Sequence, residues 1–533
     1  GPAPLPLTRS QFDPSTGTGP GNPRQQINAV TSFLDLSQVY GSDAATADAL
    51  RTHVGGQLKT SPGDLPPYDN SNSFTASQLA ALNQSVGGME NDGPLPTADL
   101  FATGDSRGNE NLELMALQTL FVRNHNRIAS ELSQRHPGWS DEQLYQEARK
   151  INIAEYQSII YNEWIPAVLG PNALPAYTGY NPDVNPGIAT EFSTVAFRFG
   201  HSLVDDQVAR QDNQGLDIAD VNPSGSAIPL AQDFFDTNLL SADSAIDPLT
   251  GHTASNIDAI LKGDADGNEQ AMDPLAVSGV RNLLFGNAGA GGQDLIALDI
   301  QRGRDNGLPD YNTVRLAYGL PAVTSFAQIT SNVQVQQELQ QAYGSVNNID
   351  ALEGGLAEDH VPGSDVGPLF QAILVNQFAR LRDGDRFFYL NEPWSPAELK
   401  ILRQGDTLSK VIEANTGLTN LQSDAFVFQA SIGGTVASGH GATGDRATAR
   451  RGLPGITVEL EDSGGNVLAT AVTDSKGRYS FNQFTGLSGT GIYTVRLAVS
   501  PGFTQTSANP SSILISRGDI NRSGVDFRLA WVK

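Results

Sequence analysis

Near Gln429 the spacing of apolar residues changes from a helical to an alternating period, and no single layer of structure serves both. From Ser431 to Lys533, Ile456/Val458/Leu460, Tyr479/Phe481 and Tyr493/Val495/Leu497 alternate with polar residues. Turn residues at 463–466 and 475–477 separate these runs, so this part is expected to be a small β-sandwich with no evident chemistry. Upstream, apolar residues recur three and four apart. Leu114, Leu117, Phe121, His125, Ile128 and Leu132 share one stripe of a helix ending near Gln134, which makes His125 a hydrogen-bonded core histidine. Ser140 and Gln143 form a capping box opening a helix that runs to Gly170. Shorter helices are expected at 43–51, 76–86, 254–262, 273–285, 331–343, 367–382 and 396–404. The expected fold is multidomain: an N-terminal arm over 1–23, a mainly α domain over 24–429, and a small all-β sandwich domain over 430–533.

A formal net charge of −25 and the lack of any basic cluster argue against nucleic acid and anionic membranes as partners. Charged residues are 17%, while Gly (55) and Pro (30) are frequent, which suits a loop-rich extracellular protein. Cysteine is absent, which excludes disulfides, thiolate metal sites and cysteine nucleophiles. No apolar run is long enough to span a bilayer.

Within the helical part, the stretch 194–205 stands out. Asn185 and Pro186 are expected to open its helix as N-cap and first helical residue. Ile188, Phe192, Val195, Phe199 and Leu203 form the apolar stripe. At about 100° per residue, His201 points away from that stripe, beside Thr194 and Arg198. It is either a solvent-facing histidine or an axial ligand turned towards a cofactor.

Other candidates are weaker one by one. Thr31, Asp35 and Ser37 offer side-chain oxygens and Phe33 a carbonyl; such a loop caps backbone groups or wraps one face of a calcium ion. Arg107 and Glu110 stand at the start of a helix, as a salt bridge or as groups projecting into a cleft. Asp299, Arg302, Arg304 and Asp305 form a charge cluster, either a structural network or a carboxylate-binding site. Asp264–Glu269 begins like a calcium loop but lacks the sixth-position glycine and the terminal Glu, so it is not an EF-hand.

Five segments, 26–43, 103–128, 194–204, 294–312 and 376–390, together resemble the animal-type haem peroxidase family in order and spacing. The last hundred residues resemble the SdrD B-type, prealbumin-like modules of bacterial surface proteins, through Gly-Ile-Thr-Val-Glu-Leu, Asp474-Ser-Lys-Gly-Arg-Tyr-Ser-Phe and Gly-Val-Asp-Phe-Arg-Leu. The first resemblance implies haem b as cofactor, with His201 of Phe-Arg-Phe-Gly-His as proximal iron ligand and Asp299 as acceptor for its other ring nitrogen. An Asp at 299, where many relatives carry Asn, is expected to lower the ferric/ferrous potential relative to Asp299→Asn. The same resemblance makes Arg107 of Gly-Asp-Ser-Arg the distal-side arginine and Glu110 a carboxylate that some relatives esterify to a haem methyl. Arg302 and Arg198 correspond to groups near the propionates and the proximal hydrogen bonds. Thr31, Phe33, Asp35 and Ser37 match the family's calcium loop.

Family members carry a Gln, a distal His and an Asp that completes the calcium site, all upstream of this loop. The histidines other than His125 and His201, namely His53, His136, His252, His360 and His440, stand in no matching motif, so these residues are expected from a separate N-terminal fragment. The implied function is a secreted or cell-surface bacterial peroxidase. It would use hydrogen peroxide to oxidise halide, pseudohalide or small phenolic donors, provided the distal segment is supplied in trans. The alternative is a non-catalytic surface or adhesion protein on a degenerate peroxidase scaffold. A fatty-acid dioxygenase of the same superfamily would need a radical tyrosine, and none of the 13 tyrosines sits in such a motif.

Overall fold

The computed structural model describes residues 7–85, 87–218, 227–241, 245–246, 253–254, 256–282, 284, 293–438, 451–498 and 502–532. Two compact units emerge. The first comprises 1–208, 228–242 and 269–415; the second comprises 209–227, 243–268 and 416–533.

The first unit is helical. Asn111 accepts the Leu114 N–H at 2.7 Å and so opens α1 (Leu112–Arg135), the helix expected from the 114–132 stripe. Ser140 and Gln143 form the expected capping box at the start of α2 (Asp141–Ile159). The helix does not run unbroken to Gly170: a π turn at Ile160–Trp164 intervenes before Ile165–Leu169, and Gly170 closes the run at φ 91°.

Between α1 and α2 lies a buried polar chain. His125 Nε2 meets the Gly56 carbonyl at 2.8 Å and Nδ1 the Tyr40 hydroxyl at 2.9 Å. Asn152 donates to Tyr40 Oη at 2.8 Å, and Asn124 donates to Asn152 at 2.8 Å and to Glu155 Oε2 at 2.5 Å. His125 is therefore the core histidine expected; burial pushes its pKa down to about 4 and keeps it neutral. Burial pushes Glu155 up to about 8, against the opposing pull of Arg127 and the Asn124 hydrogen bond. The folded protein thus holds this proton where the unfolded chain has lost it. Glu155 therefore costs stability progressively as pH rises from about 4.5 to about 8. Glu155→Gln is expected to melt above wild type at pH 8 and to match it near pH 4.5; equal melting temperatures at pH 8 would contradict this.

The segment carrying His201 departs from a single helix. It forms α3 (Thr190–Thr194), a 3-10 turn at Ala196–Phe199 and α4 (Gly200–Leu203), with the break at Val195 (φ −125°, ψ −76°). Asn185 and Pro186 do not open it. Asn185 Oδ1 instead takes the Gly187 N–H at 2.8 Å, and Arg380 and Gln377 claim the carbonyls of Asn185, Pro186 and Gly187. The stripe survives the break: Phe192, Val195 and Phe199 are buried in the main core beside Phe378 and Leu381.

Three later helices position the site. They are α5 (Leu295–Asp305), α6 (Val333–Tyr343) and α7 (Ala351–Ala357), followed by α8 (Pro368–Asp383), which lies along the core. Of the other short helices, 396–404 appears as Pro396–Leu402, while 273–285 shrinks to Ser278–Arg281, with 283 and 285 outside the described residues.

The second unit is built on the sandwich. One sheet runs β6 (Phe503–Gln505), β9 (Phe527–Trp531), β1 (Ser431–Ser438), β8 (Asn521–Arg522), with β4 (Arg478–Phe481) also on β1. The other runs β7 (Ile513–Ile515), β5 (Gly491–Ala498), β2 (Thr457–Glu461), β3 (Val467–Val472). The expected inward set, Val458, Leu460, Phe481 and Val495, is fully buried. The same unit draws in the helix Asn256–Asp266, which takes in 256–262 of the expected 254–262 and runs four residues further, while Ala254 ends a short strand and 255 lies outside the described residues.

Candidate active site

His201 and Asp299 lie far apart in sequence, and the fold brings them together. His201 projects from α4 and its Nδ1 lies 2.5 Å from Asp299 Oδ2, on α5. The Asp299 side chain is only 4% exposed, the His201 side chain 27%. Arg198, from the 3-10 turn, donates through Nε to the Ser193 carbonyl at 3.1 Å and brings Nη1 to 3.5 Å from Asp299 Oδ1. One carboxylate therefore faces an imidazole and a guanidinium. With Nδ1–H donated to Asp299, the Nε2 lone pair is left without a hydrogen bond among the described residues.

Arg107 sits in the turn before α1. Its Nε and Nη2 clamp Asp105 Oδ1 and Oδ2, both at 2.8 Å, and Asp105 Oδ1 also takes the Arg107 N–H at 3.0 Å. That hydrogen-bonded carboxylate raises the guanidinium further above its ordinary range. Burial raises the pKa of Glu110, while Arg107, His201 and Arg198 all pull it down. Glu110 is thus within electrostatic reach of the Arg107 loop and of the His201–Arg198 side at once. Asp105 and Glu90 went unnoticed in the sequence. Glu90 accepts from Ser106 Oγ at 3.1 Å and acts on both Arg107 and Glu110. Asp105 at least had a signal, an acid two residues before an arginine in a tight turn.

The cluster 299–305 separates by role. Arg304 clamps Asp350 at 2.7 and 3.0 Å. Asp305 receives Arg9 Nε at 2.8 Å and the Ser10 N–H at 2.9 Å, and Arg302 donates to the Thr8 carbonyl at 2.7 Å. Three members are thus a structural network tying down the N-terminal arm and α7, and only Asp299 turns to His201. In the 31–37 loop, Thr31 Oγ1 takes the Phe33 N–H at 3.0 Å and Asp35 Oδ1 the Ser37 N–H at 3.1 Å. Burial raises Asp35, opposed by Arg149 and by hydrogen bonds that include one from Thr31. Phe33 and Asp35 line a cleft of about 640 Å³ with Arg149, Gln157, Asp385 and Trp394.

The chain belongs to the animal haem peroxidase family, whose sequence profile matches residues 1–426; that of the SdrD B-like domain matches 430–524. It is 37% identical to Peroxinectin A of Dictyostelium discoideum over 371 residues, which is 68% of this chain and 63% of that protein. It is 37% identical to human myeloperoxidase over 417 residues, 75% of this chain and 52% of that protein. Over 76% of its own length it resembles mouse peroxidasin homolog at 36% identity, spanning 26% of it. The chain therefore spans under two thirds of these relatives. Among solved structures, Peroxidase A of D. discoideum aligns with a TM-score of 0.64 at 33% identity, covering 79% of this chain and 76% of that one. Rice fatty acid alpha-dioxygenase aligns at 0.58 and 21% identity over 76% of this chain and 66% of that one, a likeness of fold alone.

The residues present fit the haem this family implies. A half-exposed imidazole, held at Nδ1 by a buried carboxylate and open at Nε2, is the donor an iron porphyrin requires. Among the described residues no helix is long and apolar enough to cross a membrane.

Proposed function

We propose that this chain is a haem peroxidase that uses hydrogen peroxide to oxidise a small donor, a halide, pseudohalide or phenol. Bound haem supplies the redox chemistry, taking up the oxidising equivalents of peroxide and passing them to the donor. His201 holds the iron through Nε2. Asp299 fixes the ring's orientation and keeps its Nδ1 proton, and Arg198 neutralises part of the Asp299 charge. Arg107 stabilises negative charge on the departing peroxide oxygen. Glu110 forms an ester to a haem methyl. The propionate role of Arg302 requires it to exchange its bond to the Thr8 carbonyl. The proton transfer falls to a distal His on a separate N-terminal fragment, whose Asp completes a calcium site with Thr31, Phe33, Asp35 and Ser37. The cleft beside Asp35 gives that fragment room. A bacterial, secreted or cell-surface setting suits the SdrD B-like domain.

The observation that carries this reading is the His201–Asp299 pair with Nε2 left open, together with a Glu110 that feels both His201 and Arg107. The test is the Soret band of the haem-loaded full chain. Peroxide should shift it, and a donor such as iodide or guaiacol should restore it. A spectrum unmoved by peroxide, with the N-terminal fragment also present, would leave only the adhesive scaffold. Intact mass of native material should show the second polypeptide and haem attached through Glu110.

A further inference from the structure

Glu353 has no place in the chemistry above. It stands on α7, which packs against the 3-10 turn that carries Arg198 and against the helix α5 that carries Asp299. Its Oε1 is buried and has no hydrogen-bond partner among the described residues. The charges that act on it are all negative: Asp350 at the start of its own helix, and Asp294 and Asp299 on α5. Tyr343 of α6 feels Glu353 in turn and donates to Asp350 Oδ2 at 3.0 Å. The nearby cations are already engaged, Arg304 on Asp350 and Arg198 on Ser193 and Asp299. On α7's far end Glu358 is paired with Arg315 and Tyr311. A carboxyl with no cation of its own, set among three carboxylates, holds its proton more tightly than an exposed one.

We propose that Glu353 is a positioning residue for the proximal pair: through Asp299 it sets, in a pH-dependent way, how strongly the His201 imidazole is drawn towards imidazolate. While neutral, Glu353 leaves Asp299, with Arg198 beside it, to act on the Nδ1 proton. Once ionised, it adds a negative charge that Asp299 feels, and the Nδ1–H···Oδ2 bond gains imidazolate character. The carboxyl is pushed up to about 7 by burial first and by its three acidic neighbours next, so the change falls within the ordinary working range. The inference rests on His201 as iron ligand for its effect on haem, and on Asp299 alone for the coupling itself.

Two measurements test it. In the haem-free full chain, the infrared band of the neutral acid lost in Glu353→Gln should disappear between pH 6 and 8 in wild type. In Asp299→Asn it should disappear at a lower pH, because one repelling charge is gone. A Glu353 band that vanishes at the same pH in Asp299→Asn, or that is already absent at pH 6 in wild type, overturns the proposal whether or not haem binds. In the haem-loaded full chain, wild type and Glu353→Gln should share one ferric/ferrous potential at pH 5.5, with wild type lower at pH 8.5. If Glu353→Gln does not fold, the iron–imidazole stretch of wild type serves instead and should rise across the same range. Coincident potentials at both pH values, or a flat stretch, overturn the proposal while leaving the haem reading in place. Failure to bind haem sinks that reading and leaves the infrared result to decide the coupling.

Discussion

Arg107→Leu is expected to slow the reaction of the haem-loaded chain with hydrogen peroxide by roughly 10²–10³-fold, the usual effect of deleting one preorganised donor to a developing anion. The geometry explains why a single residue carries so much. Nε and Nη2 are spent on Asp105, and the fixed fork leaves Nη1 without a protein partner among the described residues. A guanidinium held on one edge and free on the other needs no reorganisation when charge appears. Arg107→Lys should recover only part of the rate, because an ammonium cannot clamp Asp105 and still present a donor in a fixed direction. Stopped-flow mixing with peroxide reads the step directly. A rate within a factor of three of wild type for Arg107→Leu would remove Arg107 from the mechanism.

Lys262→Ala should destabilise the second unit by roughly 3–5 kcal/mol, the range for breaking one side of a buried ion pair. Lys262 and Asp266 are both fully buried, with Nζ 2.7 Å from Asp266 Oδ2. The same Nζ donates to the carbonyls of Asn420 at 2.6 Å and Ser516 at 3.0 Å. One ammonium thus joins the helix Asn256–Asp266, the segment leading into the sandwich and the loop after β7. Burial lowers the Lys262 pKa and raises Asp266 to about 6, so each group needs the other's charge to remain ionised. Removing the lysine leaves a buried carboxylate and takes the ammonium donor from the Asn420 carbonyl, while Ser516 keeps the Asn420 side-chain amide at 3.0 Å. Lys262→Met combined with Asp266→Leu should recover most of the loss, since an apolar pair leaves no buried charge. Calorimetry of the full chain checks both. A midpoint for Lys262→Ala equal to wild type would show that the pair contributes nothing.

These two residues also mark the limits of what the sequence discloses. The sandwich was legible strand by strand because alternation at Val458, Leu460 and Val495 is a local signal that needs no knowledge of the partner strand. Helix α1 was legible from its stripe and α2 from its capping box, and the π turn at 160–164 was not, since no residue type marks such a turn. Helix α7 was hidden by Gly354 and Gly355, which read as breakers. Side chains there would run into the Tyr311 and Phe370 rings, so close packing and not a turn requires the glycines. The periodicity that set His201 apart from the apolar stripe assumed one helix where the chain breaks at Val195, and its partner Asp299 could not be found by spacing. Only the family resemblance joined them, and in the fold they lie 2.5 Å apart. Lys262 gave no signal at all: a lysine in an amphipathic helix reads as solvent-facing unless its buried acceptors are known.

The most direct test of the account is the resonance Raman spectrum of the ferrous, haem-loaded full chain beside that of His201→Ala. Wild type should show an iron–imidazole stretch, raised by the carboxylate at Asp299 and falling in Asp299→Asn, and His201→Ala should lose it along with most of its haem. An unchanged stretch and undiminished haem content in His201→Ala would mean that the iron is held elsewhere.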